Sequence, residues 1–179
     1  MYMIRNLFVA IPLLFTTASA EMKCAPGKCG SGKCGSMMKL QETKTKIVHT
    51  AEGKPVAIVP KTYHCAECNM FVNDPDYAAE LITPEGRVYF FDDIGCLVKW
   101  ITKHPVPNAD LFVYTLDTHR WAKAEKVWYS RTDNTPMHYG FGAYEKKKEG
   151  MVSFGEMQTL MHQGKTLRNP AVKKRLLEE

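Results

Sequence analysis

Residues 77–116 leave few architectures open to this chain. Tyr77-Ala78-Ala79-Glu80-Leu81-Ile82-Thr83 reads as a strand, Pro84-Glu85-Gly86 as a turn, and Arg87-Val88-Tyr89-Phe90-Phe91 as a return strand rich in β-formers. Asp92 and Asp93 are N-cap candidates for a helix that starts at Ile94 and runs to about His104. Within it Ile94, Leu97, Val98 and Ile101 recur at i, i+3, i+4 and i+7 as one apolar stripe. Pro105 and Pro107 stop the helix, and residues 111–116 form a third strand. The order is ββαβ, so the expected class is α+β.

Chemistry is concentrated just upstream. His64-Cys65-Ala66-Glu67-Cys68-Asn69-Met70 contains C-x-x-C-x-M. Two thiols at that spacing can turn inward from one tight loop and close on a single ion, and Met70 adds a third soft donor. A redox C-x-x-C would open a helix after a strand, but Asn73-Asp74-Pro75 follows almost at once and ends any helix. A structural zinc site needs a second Cys or His pair at regular spacing, whereas only Cys96 and scattered His are on offer. A thiolate–thioether set suits Cu(I) best. The bland alternative is a Cys65–Cys68 disulfide beside an inert Met70. Cys96 falls in the first helical turn, off the apolar stripe and on the side of Trp100. A helix N-terminus is expected to depress its pKa, and it is either a further ligand or a small packed residue. His64 is a weaker ligand candidate; His49, His104, His119 and His162 show no ligand spacing.

The N-terminal stretch points to export. Arg5 precedes an apolar run from Leu7 to Thr17, and Ala18-Ser19-Ala20 has the A-x-A form of a cleavage site, so residues 1–20 read as a signal peptide. The run is too short to span a bilayer, which takes about 20 residues. No lipid-attachment signal precedes Cys24, so a soluble periplasmic protein is expected. In residues 22–38, Cys24, Cys29 and Cys34 recur every five residues among Gly, Lys, Pro and Ser, with Met22, Met37 and Met38 at the ends. Nothing there builds a core. Soft donors so placed favour Cu(I), with Zn(II) as competitor; disulfides or a linker role are the alternative. Lys28 and Lys33 beside the thiols favour the thiolate.

The remainder reads as a second half. Asp117-Thr118-His119-Arg120 is a turn, Val127-Trp128-Tyr129 has strand character, and residues 137–144 are a glycine-rich loop entering a strand. Ser153 and Glu156 form a capping box for a helix that turns Phe154, Met157, Leu160 and Met161 inward, and Gly164 closes it. Residues 165–179 are a charged tail with a short helix after Pro170. The domain reading is a signal peptide at 1–20, a Cys/Met/Gly-rich tail and linker at 21–55, a first ββαβ module at 56–116, and a second module with the charged tail at 117–179. At 45% hydrophobic and 24% charged residues the bulk is globular, and a net charge of +5 without an aromatic-laced basic stripe argues against nucleic acid. Neither a nucleophile elbow nor a phosphate loop is present in the sequence.

Taken in order, these motifs resemble the NosL family of periplasmic copper proteins that accompany nitrous oxide reductase assembly. The resemblance rests on Cys65 to Met70, Tyr77-Ala78-Ala79, Phe91-Asp92-Asp93-Ile94-Gly95-Cys96, Trp121-Ala122-x-Ala124 and Thr135-Pro136-Met137-x-x-Gly140-x-x-Ala143-Tyr144. It implies a Cu(I) chaperone without catalytic turnover, two ββαβ units similar to the architecture in organomercurial lyase, and Met137 as a copper ligand. It implies nitrous oxide reductase or another periplasmic cuproprotein as client. The chain departs from the family in lacking a lipid-attachment signal and in carrying the extra Cys-rich tail. The rival expectations are a copper or zinc sequestration protein centred on Cys24, Cys29 and Cys34, and a thiol–disulfide oxidoreductase using Cys65 and Cys68.

Overall fold

The computed structural model describes residues 47–178. The proposed signal peptide and the candidate ligands Cys24, Cys29 and Cys34 lie outside the described residues. Those described belong to one compact unit, Glu42–Glu179. Its strands are β1 (Val48–His49), β2 (Tyr63–His64), β3 (Phe71–Val72), β4 (Ala79–Ile82) and β5 (Arg87–Phe91), followed by helix α1 (Ile94–Lys103). Then come β6 (Asp110–Tyr114), β7 (Trp121–Lys123), a single 3-10 turn at Ala124–Lys126, β8 (Trp128–Tyr129), β9 (Ala143–Tyr144), α2 (Phe154–His162) and α3 (Pro170–Leu177). The class is α+β, as expected. Among the described residues no helix is long and apolar enough to cross a membrane.

Five strands make one antiparallel sheet in the order β1-β5-β4-β6-β7. The β4–β5 hairpin turns at Gly86, whose φ of +82° places it in the left-handed region, and a Cβ there would run into the Thr50 carbonyl. All four residues of β4 are buried. Successive strand residues point to opposite faces, so this central strand is covered on both. α1 packs against β4 and β5, while Val56, from an irregular segment, donates its amide to Glu80 Oε2 at 2.9 Å.

α1 is capped by Asp93, not Asp92: Asp93 Oδ1 accepts the Gly95 amide at 2.7 Å. Its other oxygen, Oδ2, accepts the Met137 amide at 2.9 Å. One fully buried carboxylate therefore holds both the start of α1 and the loop after Pro136. Asp93→Ala leaves two amides without acceptors, and we expect a loss of about 3 kcal/mol in urea unfolding. A change below about 0.5 kcal/mol would show that Asp93 does not hold this junction.

Two differences from the sequence reading concern the modules. β1 lies inside the stretch read as linker and pairs with β5, Val48 opposite Val88. The strand–strand–helix–strand order predicted for the first half is present as β4, β5, α1 and β6. The second half does not repeat it as another ββαβ unit. β7 joins the first sheet by pairing with β6, β8 pairs with β9, and no strand comes after α2 among the described residues. The physical reason is that the second half packs onto the first. α2 lies against α1, Gly95 abuts the Tyr139 ring with no room for a Cβ, and the Leu116 amide donates to the Ala143 carbonyl at 2.9 Å. α1 is buried beyond its stripe: Gly95 lies under Tyr139, Cys96 sits beside Cys65, and Trp100 packs on Tyr89 and Phe91. The capping box of α2 is formed as read, and Met157 is fully buried in the core.

Candidate metal centre

The C-x-x-C-x-M segment is the turn of a small hairpin. β2 and β3 pair with Tyr63 opposite Val72 and His64 opposite Phe71. The turn closes as the Cys65 amide donates to the Met70 carbonyl at 2.8 Å and the Asn69 amide to the Cys65 carbonyl at 2.9 Å. Asn69 takes the left-handed conformation, φ 62°, which Asn tolerates better than most residues. No helix follows Cys65, so its setting differs from that of a helix-opening redox pair. The hairpin docks on β5: the Ala66 amide donates to the Phe90 carbonyl at 2.9 Å and Tyr63 stacks on Phe90 with centroids 4.0 Å apart. Glu67 reaches α1, with Lys103 Nζ at 2.6 Å and Lys99 Nζ at 3.4 Å from its Oε1. Burial opposes the charge of Glu67, but the two lysines outweigh it and hold the carboxyl below its usual range.

That docking assembles the site. Donor atoms of Cys65, Cys68, Asp92 and Cys96 all lie within 4.8 Å of one another. Cys65 is 2%, Cys96 0% and Asp92 6% exposed, with Cys68 half-buried toward the surface. The three cysteines are free thiols, so the disulfide alternative for Cys65 and Cys68 is not the state described. Cys68 Sγ donates to Asp92 Oδ1 at 3.3 Å, and Asp92 Oδ2 is buried with no hydrogen-bond partner. An orphaned buried carboxylate oxygen beside three sulfurs is an oxygen donor of the kind that can join a metal site. Three thiols and a carboxylate form a possible metal site, and the chemistry of the set fits a soft or borderline ion.

The proton inventory differs from the expectation for Cys96. Its pKa is raised, not depressed, because it hydrogen-bonds to Cys65 and is buried, with Asp92 and Asp93 close by. These outweigh the helix N-terminus. The lowered pKa belongs to Cys65, whose sulfur accepts from Cys96 despite its own burial. Burial pushes the Cys68 thiol up to about 12. Of the three sulfurs, Cys65 is thus the one whose surroundings favour the thiolate, and Cys68 and Cys96 are held as thiols.

Of the residues read from the sequence, Cys65, Cys68 and Cys96 are brought together. Met70 belongs to the same turn but is 45% exposed. Met137 is half-buried against the core, with its amide on Asp93, the neighbour of Asp92. His64 has its Nδ1 3.0 Å from the Asn69 carbonyl oxygen. Asp92 was legible only as a cap candidate. A signal for it did exist, since a helix has one N-cap position and the second Asp stood four residues before a Cys. No family model matches the chain, and neither does any curated protein or solved structure.

Proposed function

We propose that this protein is an exported Cu(I)-binding metallochaperone, without catalytic turnover, related to the NosL family and supplying nitrous oxide reductase or another periplasmic cuproprotein. The observation that carries the reading is the convergence of three thiols from a hairpin turn and a helix on one buried point. Trigonal thiolate ligation suits Cu(I), and Asp92 accepts from Cys68 at the site's edge. Cys68, the most accessible of the set, is where a client's ligand would begin exchange.

Asp92 also favours a second reading. As a fourth donor it completes a tetrahedral S3O set of the kind Zn(II) accepts, which suits sequestration. Thiol–disulfide exchange is less well supported, because it needs an accessible attacking thiolate and Cys65 is 2% exposed.

The test is anaerobic titration of the reduced chain, with Cys24, Cys29 and Cys34 replaced by Ser, against a chromophoric chelator. One Cu(I) per chain held against the chelator, and not displaced by equimolar Zn(II), supports the chaperone. Preference for Zn(II) selects the second reading, and no competition with either ion returns the thiols to redox chemistry. The proton inventory adds a pH dependence. Cys68 and Cys96 carry protons at neutral pH and must lose them to become ligands. The apparent association constant is therefore expected to rise with pH by about one log unit per pH unit for each of these two thiols between pH 6 and 8. A flat profile would exclude these thiols as ligands.

A further inference from the structure

Positive charge is gathered at one end of this chain. Between residues 146 and 178 eight Lys and Arg stand against three Glu, a surplus as large as the net charge of the whole protein. Among the described residues, ion pairs are made by Lys54, Lys99, Lys103, Arg120 and Lys123, and no cation after Lys123 takes part in one. A cavity of about 440 Å³ opens there. It is lined by Arg131 from the segment after β8, Tyr144 of β9, Lys148 and Met151 of the loop before α2, and Leu176 of α3. Arg131 Nε is buried and has no hydrogen-bond partner. A guanidinium does not give up its proton in a protein, so this N–H is a donor left without an acceptor. Burial and the charge of nearby Arg175 both work against the protonated group. Lys148 Nζ lies over the Tyr144 ring, 5.1 Å from its centroid. The cavity also holds two acids, and neither pairs with Arg131. Asp133 Oδ1 accepts from the Ser130 hydroxyl at 2.8 Å and Oδ2 from the Tyr144 hydroxyl at 2.9 Å, while Glu149 is exposed.

We propose that this cavity binds a phosphate group, with the Arg131 guanidinium as the central donor and Lys148 and Arg175 supplying further positive charge. The proposal is independent of the metal reading above. A bound oxyanion supplies the acceptor that Arg131 Nε lacks and offsets the repulsion between the two guanidiniums. The planar fork of an arginine matches the oxygens of a phosphate, and three cations suit an anion with more than one charge. A carboxylate would fit the fork but brings a single charge. The cavity is larger than a phosphate ion, and Met151, Leu176 and the 49% exposed Leu177 add apolar surface at and beside it. Inorganic phosphate and a phosphomonoester headgroup at a lipid surface share this chemistry.

The experiment uses the full chain, reduced and metal-free, at neutral pH and constant ionic strength. Inorganic phosphate is titrated while the Arg131 Nε–H resonance is followed by NMR, with sodium acetate as the matched control. Phosphatidylcholine vesicles with and without phosphatidic acid are then sedimented with the protein. Three variants are compared with the parent, and circular dichroism verifies that each folds. Arg131→Gln removes the fork, Arg175→Gln removes its neighbour at an exposed position, and Lys54→Gln removes an equal charge from the loop after β1. The expected result is saturable phosphate binding with a dissociation constant on the order of 1 mM and a shift of the Nε–H resonance. Binding weakens about tenfold in Arg131→Gln, less in Arg175→Gln, and not at all in Lys54→Gln. Sedimentation with the phosphatidic acid vesicles that depends on Arg131 in the same way identifies a lipid headgroup as the source; phosphate binding without it identifies the free ion. An unmoved Nε–H resonance overturns the proposal, and so does acetate binding as tightly as phosphate. Equal losses in Arg131→Gln, Arg175→Gln and Lys54→Gln overturn it too, because diffuse charge then accounts for the binding.

Discussion

Cys65→Ser is expected to weaken binding of a soft metal ion by about a thousandfold or more, equivalent to about 4 kcal/mol. Cys65 is 2% exposed, and among the three thiols it is the one whose pKa is lowered, by the Cys96 side chain beside it. Serine is nearly isosteric and does not ionise near neutral pH, so the substitution removes the sulfur donor and changes little else. The remaining thiols, Cys68 and Cys96, both have raised pKa values, and their ionisation on binding costs free energy. Asp92→Asn is expected to cost about ten- to a hundredfold, the range for a group that orients a metal's ligands. Competition titrations of the two variants give both numbers. A Cys65→Ser protein within about tenfold of its parent would show that the metal is held elsewhere.

The second large effect concerns stability, and it comes from Glu80. This residue lies in the middle of the sheet, opposite Phe90 on β5 and Phe112 on β6, and is fully buried. Oε2 accepts the Val56 amide, while Oε1 has no partner. Burial raises its pKa from 4.5 to about 8. The folded protein therefore keeps a proton that the unfolded chain loses. The stability associated with that proton is complete below pH 4.5 and is lost as pH rises toward about 8. The slope is about 1.4 kcal/mol per pH unit, which sums to about 5 kcal/mol over the window. Glu80→Gln cannot ionise and retains a carbonyl oxygen for the Val56 amide. Urea unfolding of the metal-free protein between pH 5 and 8 should show the decline in the parent and its absence in Glu80→Gln. Equal slopes in the two would assign the pH dependence to other groups.

Several local features were legible because local physics determines them. The strand Arg87–Phe91 and the helix beginning at Ile94 arise from β-branched and aromatic runs, a turn with Gly86, and an i, i+3, i+4, i+7 stripe. The Ser153–Glu156 capping box is likewise a contact within one helical turn. β1 and β7 escaped notice because strands of two or three residues carry no period to read. Their pairing with β5 and β6 is a property of the assembled sheet. Nothing in the strand's residues marks Glu80 as buried, and only the covering of both sheet faces makes it a buried acid.

The metal centre divides along the same line. The sequence by itself determined that Cys65 and Cys68 face one point, since a turn of four residues closed by backbone hydrogen bonds leaves their thiols little room to part. It also set Cys96 off the apolar stripe of its helix. The tertiary structure alone decided which third and fourth donors join them, and which thiol pKa values rise or fall. Asp92 and Cys96 lie 24 or more residues beyond Cys68 and meet it because the hairpin docks on β5, at whose end the chain turns into α1. The same docking excludes water, which raises the pKa of Cys68, and sets Cys96 beside Cys65, which raises the pKa of Cys96 and lowers that of Cys65. Proximity across such a separation and the loss of solvent are products of packing, and no local pattern of residues encodes either.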